Sequence, residues 1–117
     1  MTGSAANSLD EPVVKTTGAI LALSAKDAAK KPITACIHCG RCVESCPHLL
    51  EPTSFCKALD INDREERFLR LEELKINLCI ECGCCSYVCP ANLPLVESNR
   101  IAKNFVKEYK AHNANLK

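Results

Sequence analysis

The cysteines of this chain are arranged in a pattern typical of metal ligands. Ten of the 117 residues are cysteines, and eight of these form two runs with the spacing C-x2-C-x2-C-x3-C-P, at residues 36–47 and 79–90. Thiolates are soft metal ligands, and a cubane iron–sulfur cluster takes four of them. The eight cysteines make two complete ligand sets, so the spacing predicts two 4Fe-4S clusters that carry single electrons.

The fourth cysteine of each run is predicted to bind the cluster of the other run. In this spacing the first three cysteines wrap one cluster, and the chain carries the fourth away. We name the two resulting groups set A and set B. Set A is Cys36, Cys39, Cys42 and Cys89, and set B is Cys79, Cys82, Cys85 and Cys46. Gly40 and Gly83 follow the second cysteine of each run, where a left-handed turn would let backbone N–H groups face the cluster.

Disulfide bridges and zinc are the alternatives to iron–sulfur clusters. A disulfide-rich domain is typical of secreted proteins. A secretion signal has a basic start and an apolar stretch, and residues 1–8 have neither, which argues against disulfides. Zinc modules place two C-x2-C pairs around one tetrahedron, which differs from both runs seen here. Cys56 and Cys84 lie outside the spacing. We expect them to be packed thiols, the alternative being a substitute ligand or a redox-sensitive thiol.

The bulk composition excludes several classes of protein. The net charge of +1 gives no basis for binding nucleic acid, and the longest uninterrupted apolar run, residues 19–23, is far too short to span a membrane. Three Phe, two Tyr and no Trp can build only a modest core. Small chains of this kind depend on a metal or a disulfide, so we expect the chain without clusters to be largely unfolded.

Helical spacing is found between the two cysteine runs and after the second one. One helix is predicted to begin at Pro52, a second at a capping box formed by Asp63 and Glu66, and a third at Pro94. The apolar residues expected to face inward are Leu50, Phe55 and Leu59 for the first, Phe68, Leu71, Leu74 and Leu78 for the second, and Leu95, Ala102, Phe105, Val106 and Tyr109 for the third.

The region before the first run has a different character. Residues 12–17 and 19–23 favour short β-strands, which would need a partner outside this chain because two short strands are not stable alone. Residues 24–31 are a polar connector with a helical turn capped by Ser24. We therefore predict an N-terminal segment and connector at 1–31, expected to end a preceding domain, a two-cluster domain at 32–112, and a frayed tail at 113–117.

The predicted fold is mainly α, an α-helical ferredoxin-type dicluster domain with a short β-leaning N-terminal segment. This choice rests on the long, helically patterned stretch between the runs, residues 47–78. The alternative is the α+β fold of bacterial two-cluster ferredoxins, in which the link between the repeats is short. His38 and Arg41 in the first loop correspond to Glu81 and Cys84 in the second, which predicts a higher reduction potential for the set A cluster.

Beyond the two runs, the chain resembles the C-terminal iron–sulfur region of the C subunit of the Rnf ion-translocating electron-transport complex. The resemblance is carried by residues 36–47, by residues 79–90 with their continuation 92–96, and by the upstream stretch 12–23. It implies a relay of single electrons within a membrane-associated ferredoxin:NAD oxidoreductase complex coupled to Na⁺ or H⁺ translocation. The implied partners are the other subunits and a ferredoxin-like donor or acceptor, and the implied location is cytoplasmic, peripheral on the inner face of the cell membrane.

The chain departs from that family where a nucleotide- and flavin-binding domain would precede the clusters. It carries no G-x-G-x-x-G signature and is too short for such a domain, so FMN and NAD are expected only in a missing parent domain. The chain is expected to be a fragment, an isolated module or one part of a longer subunit. It has no substrate site of its own, and whether to regard it as an enzyme stays open. The competing functions are a free soluble two-cluster ferredoxin and a non-redox, metal-stapled interaction module.

Overall fold

Helices and loops make up the part of the chain that the structure describes. In this computed structural model, that part comprises residues 6–29 and 31–115. The helices are α1 (Ala25–Ala28), α2 (Arg41–Glu44), α3 (Pro52–Leu59), α4 (Arg64–Glu73), α5 (Cys84–Val88) and α6 (Leu95–Asn115), with a 3₁₀ turn at Ile76–Leu78. These residues contain no β-strand, so the mainly α class is confirmed for them. No helix among them is long and apolar enough to span a membrane.

The sequence repeat is also a repeat of backbone conformation. Left-handed residues recur at the offset of 43 positions that separates Cys36 from Cys79. The three pairs are His38 and Glu81 (φ 55° and 57°), Gly40 and Gly83 (78° and 79°), and Leu49 and Asn92 (51° and 53°). The helices α2 and α5 begin directly after the two glycines, and they pack against each other. The predicted left-handed turn at the glycines is therefore confirmed.

The hydrophobic core lies between α3, α4 and α6. The α3–α6 contact is the largest between any two elements, and α4 also packs on α6. The buried members are Leu50, Phe55, Ala58, Leu71, Ile76, Ala102 and Val106. Cys46 and Cys79 lie partly buried against this core. One cysteine from each run is thus fixed directly by the packing of the helices.

The second predicted helix is correct in its start and wrong in its end. Asp63 Oδ1 accepts hydrogen bonds from the backbone N–H groups of Glu65 (2.7 Å) and Glu66 (3.0 Å), which caps α4. The helix ends at Glu73, and Lys75 takes a left-handed conformation with φ 59°. The following turn buries Ile76 completely and leaves Leu78 50% exposed. The helical spacing that assigned Leu78 to the core does not extend across this reversal of the chain.

Helix α6 follows the prediction closely. The Pro94 carbonyl accepts a hydrogen bond from the Ser98 N–H at 3.1 Å, so Pro94 stands directly before the first turn. Leu95, Ala102 and Val106 are buried. The helix continues to Asn115 and includes part of the segment 113–117 for which fraying was predicted. Residues 116 and 117 lie outside the described residues.

The predicted N-terminal strands do not form. Residues 6–29 are all exposed, and residues 12–14 and 18–23 have no regular structure. Isolated short strands lack the ladder partners that would stabilise them, which accounts for the difference. Ser24 does cap α1, because its hydroxyl accepts a hydrogen bond from the Asp27 N–H at 3.3 Å. Residues 1–5 and residue 30 lie outside the described residues.

The segment just before the first cysteine run attaches to the end of the second. The Thr34 N–H donates to the Ala91 carbonyl at 3.0 Å, and Asn92 Nδ2 donates to the Pro32 carbonyl at 3.1 Å. These bonds bring the start of one run beside the end of the other. They help to place Cys36 and Cys89, which belong to the same predicted set, on one side of the molecule.

Candidate iron–sulfur site

All four cysteines of set A line one cavity. Its volume is about 580 Å³, counted to its open mouth, and its wall combines the first loop with Cys89, Pro90 and Leu93 of the second repeat. Cys36, Cys42 and Cys89 are partly buried and Cys39 is exposed. The structure therefore brings together the four residues that the spacing assigned to this set, although three come from one repeat and one from the other.

All four cysteines of set B line a second cavity. Its volume, also counted to its open mouth, is about 360 Å³, and its wall includes Leu50, Pro52, Phe55 and Val96. Cys85 is buried, while Cys46, Cys79 and Cys82 are partly buried. No cysteine of set B is exposed, whereas Cys39 of set A faces solvent.

The short helices explain how the fourth cysteine changes sides. Cys42 lies in α2 and Cys85 in α5, each within the first two residues after the left-handed glycine. Cys46 follows α2 by two residues, and Cys89 is the C-terminal capping residue of α5. Because the two helices pack side by side, the cysteine that follows each helix lies at the cavity formed by the other run.

Hydrogen-bond donors point at the cysteine sulfurs. The His38 N–H donates to Cys36 Sγ at 3.4 Å. Asn99 Nδ2 of α6 lies 3.6 Å from Cys79 Sγ and 3.9 Å from Cys85 Sγ. Sequence reasoning missed Asn99. The available signal was a polar residue within the apolar spacing that runs from Leu95 to Ala102 on α6.

The protein alone disfavours thiolate at the buried positions. Burial raises the pKa of the Cys85 thiol to about 11, and neighbouring Cys79 and Cys82 add to the effect. Burial also raises the pKa of Cys42, with smaller contributions from the charges of Cys39 and Cys89. Metal ligation requires the thiolate form, so a bound iron centre would have to supply the positive charge that stabilises thiolate at these positions.

Glu81 in the second loop is neutralised by two cations of α6. Arg100 Nε lies 3.2 Å from Glu81 Oε2, and Lys103 Nζ lies 3.0 Å from Glu81 Oε1. The hydrogen bond from Lys103 lowers the pKa of Glu81, and Arg100 lowers it further. Lys103 Nζ also donates to the Cys79 carbonyl at 2.9 Å. These ion pairs offset the charge of Glu81, one of the residues on which the comparison of the two reduction potentials rests. The higher potential for the set A cluster stays a prediction.

The two cysteines outside the sets line neither cavity. Cys56 is partly buried in α3, and Cys84 is exposed at the start of α5. Two histidines are exposed, His48 at the wall of the set B cavity and His112 on α6. A hydrogen bond between the Cys84 and Cys82 side chains raises the pKa of Cys84. Cys84 therefore touches a member of set B while standing outside the cavity.

The donor sets fit cubane clusters in type and arrangement. Within the described ranges, no three His, Cys, Asp or Glu side chains converge as a single metal ion would require. A cubane instead takes one thiolate at each of four separate irons, so its ligands surround a cavity. Two cavities with four cysteines each, together with N–H donors to sulfur, meet that requirement.

The family follows from a comparison with known proteins. Residues 35–93 match the model of the 4Fe-4S dicluster domain. The chain belongs to this family. The matched region contains both cysteine runs and the helices α2 to α5. It therefore includes all eight cysteines that line the two cavities, while α6 lies beyond it.

Two relatives are similar over more than the cysteine runs. The chain is 42% identical over 97 residues, 83% of its length, to the C subunit of the ion-translocating oxidoreductase complex of Rhodobacter capsulatus. It is 40% identical over 53 residues, 45% of its length, to the C subunit of the proton-translocating ferredoxin:NAD(+) oxidoreductase complex of Clostridium ljungdahlii. The matched regions make up only 18% and 12% of those proteins.

Proposed function

We propose that this dicluster domain is an electron-transfer module whose two 4Fe-4S clusters are held by set A and set B. The observation that carries the proposal is the composition of the two cavities. Each is lined by the first three cysteines of one run and the fourth cysteine of the other. That is the crossed arrangement in which two clusters share two repeats.

The residues of the chain act by holding, orienting and shielding the clusters. When bound, each cluster takes up and releases one electron. The first left-handed loop presents a backbone N–H group to sulfur, that of His38 to Cys36. Leu50, Phe55 and Val96 keep water from the set B side, and exposed Cys39 makes the set A side the more accessible route for an electron. The packing of α2 on α5 keeps the two sets adjacent.

The proposed setting is a membrane-associated complex of the Rnf type. Similarity to the C subunits of two such oxidoreductases supports this setting. The module would relay single electrons between a ferredoxin-like partner and the other subunits, peripheral on the cytoplasmic face of the membrane. Reaction with NAD, use of FMN and coupling to Na⁺ or H⁺ would belong to the parent complex.

Cysteine replacements test the ligand sets. We expect Cys46→Ala to lose the set B cluster and Cys89→Ala to lose the set A cluster, measured as iron and sulfide content and by EPR of the reduced protein. Cys56→Ala is the matched control, because Cys56 is partly buried but lines neither described cavity. Full cluster content in Cys46→Ala or Cys89→Ala would refute the crossed assignment.

Co-purification tests the proposed setting. A tagged chain expressed in a cell that contains the remaining subunits should sediment with the membrane fraction and bring those subunits with it. The control is the same chain expressed where the other subunits are deleted, from which it should be recovered in the supernatant. Recovery in the supernatant in both strains, with a reversible redox signal, would instead favour a free ferredoxin.

A further inference from the structure

Asn99 is a buried polar residue in an otherwise apolar stripe of α6. It is 2% exposed, and its neighbours along the stripe, Leu95 and Ala102, are 1% and 0% exposed. Its Nδ2 lies 3.6 Å from Cys79 Sγ and 3.9 Å from Cys85 Sγ, at the wall of the set B cavity. Its Oδ1 is buried with no hydrogen-bond partner among the described residues.

Stability alone does not explain an asparagine at this position. A buried carbonyl oxygen without a partner costs about 1–3 kcal/mol. A leucine has the same branched shape, with methyl groups in place of the amide oxygen and nitrogen, and would extend the apolar stripe without that cost. The amide is therefore unfavourable for packing, and the contacts that offset this cost are those of its N–H groups with the two sulfurs.

The orientation of the amide is determined by its surroundings. Turning the side chain over would place Oδ1 against two electron-rich sulfurs and would leave Nδ2 where Oδ1 finds no partner. Thiolate sulfur accepts hydrogen bonds and cannot donate them. With Cys79 and Cys85 deprotonated, only the orientation with Nδ2 toward the sulfurs forms hydrogen bonds.

We propose that Asn99 is a positioning residue that donates its side-chain N–H groups to the Cys79 and Cys85 thiolates and raises the reduction potential of the set B cluster. The inference rests on the proposed two-cluster function. Reduction adds a negative charge to the cluster, and donors to its sulfur ligands stabilise the reduced form more than the oxidised form. Removing the donor should therefore lower the potential.

The effect is specific to one cluster. At the repeat offset of 43 positions, Asn99 corresponds to Cys56, which is not among the described residues lining the set A cavity. The set A cluster of the same molecule therefore serves as an internal reference. A change in buffer, in the reference electrode or in the global stability of the fold would affect both clusters.

Asn99→Leu tests the proposal, with Asn104→Leu as the matched control, because Asn104 is exposed on the same helix. Both clusters are titrated anaerobically and followed by EPR, beside the unsubstituted protein. We expect a lower midpoint potential for the set B cluster in Asn99→Leu, no shift of the set A cluster, and no shift of either in Asn104→Leu. An unchanged set B potential, with or without lower stability, would reduce Asn99 to a packing residue and overturn the proposal.

If Asn99→Leu does not retain the set B cluster, a measurement on the unsubstituted protein tests the proposal instead. The protein is labelled with ¹⁵N at its asparagine side chains, and the reduced cluster is examined by pulsed EPR. A ¹⁵N coupling to the set B cluster is expected, and its absence overturns the proposal. If the unsubstituted protein contains no reducible clusters, the proposed function itself is refuted. If the set B cluster is present but shows no ¹⁵N coupling, only the proposal for Asn99 is refuted.

Discussion

Replacing Lys103 with methionine should release the set B cluster much faster. Lys103 Nζ donates to the Cys79 carbonyl at 2.9 Å and pairs with Glu81 at 3.0 Å, so it ties the second loop to α6. A hydrogen bond from a charged donor contributes about 1.5–3 kcal/mol. The ion pair adds little, because both side chains are about 30% exposed and Glu81 retains Arg100. We therefore expect a loss of about 2 kcal/mol.

The loss would act locally, on opening of the loop that carries Cys79. If the cluster is released from that open form, about 2 kcal/mol corresponds to roughly thirtyfold faster release. The assay is the anaerobic rate of cluster transfer to an iron chelator, with the two clusters distinguished by EPR. Lys107→Met is the control, since Lys107 is exposed on the same helix. A rate within about twofold of this control, or equal acceleration for both clusters, would refute the reasoning.

Three further predictions concern the fold. Gly40→Ala should lower the free energy of unfolding by about 1–2 kcal/mol in anaerobic thermal unfolding, because Gly40 has φ 78°. Gly18 has equally open surroundings, so Gly18→Ala should leave the free energy of unfolding unchanged. Leu71→Ala removes a fully buried side chain and should cost about 2–5 kcal/mol; a cost equal to that of Leu69→Ala, which truncates a 59% exposed leucine, would contradict the described core. Removing iron and sulfide should abolish most of the far-ultraviolet circular dichroism of helices, and an apo chain with full helical signal would show that the clusters are not needed for folding.

The cysteine loops could be predicted from sequence because their determinants are local. The spacing of each run, with a glycine after the second cysteine, predicted the left-handed residues Gly40 and Gly83 and the turn they form. The same spacing predicted which cysteines would share a cavity. The assignment of those cysteines as ligands stays a prediction until the replacements described above are made.

The features missed by sequence reasoning depend on contacts between distant parts of the chain. Helical spacing extended α4 to Leu78, whereas the reversal at Lys75 buries Ile76 instead. The β-leaning stretches 12–17 and 19–23 have the composition of strands but no partner in the described residues. A propensity for strand is expressed only where a ladder partner is present.

The ion pairs and polar contacts of the site also could not be predicted from the sequence. Glu81 stands in a cysteine loop, and its partners Arg100 and Lys103 are 19 and 22 positions further along, on α6. Nothing in the loop itself indicates that its charge is offset. Asn99 likewise lies 20 residues from Cys79. Only the packing of α5 and the second loop against α6 brings these groups together.

The central claim is that one chain holds two adjacent, redox-active 4Fe-4S clusters. The most direct test is iron and sulfide analysis of the anaerobically prepared protein, combined with EPR before and after reduction by dithionite. The account predicts about eight iron and eight sulfide per chain and, on full reduction, a spectrum broadened by magnetic coupling between two neighbouring clusters. Zinc in place of iron, about half that iron content, or no reducible species would contradict it.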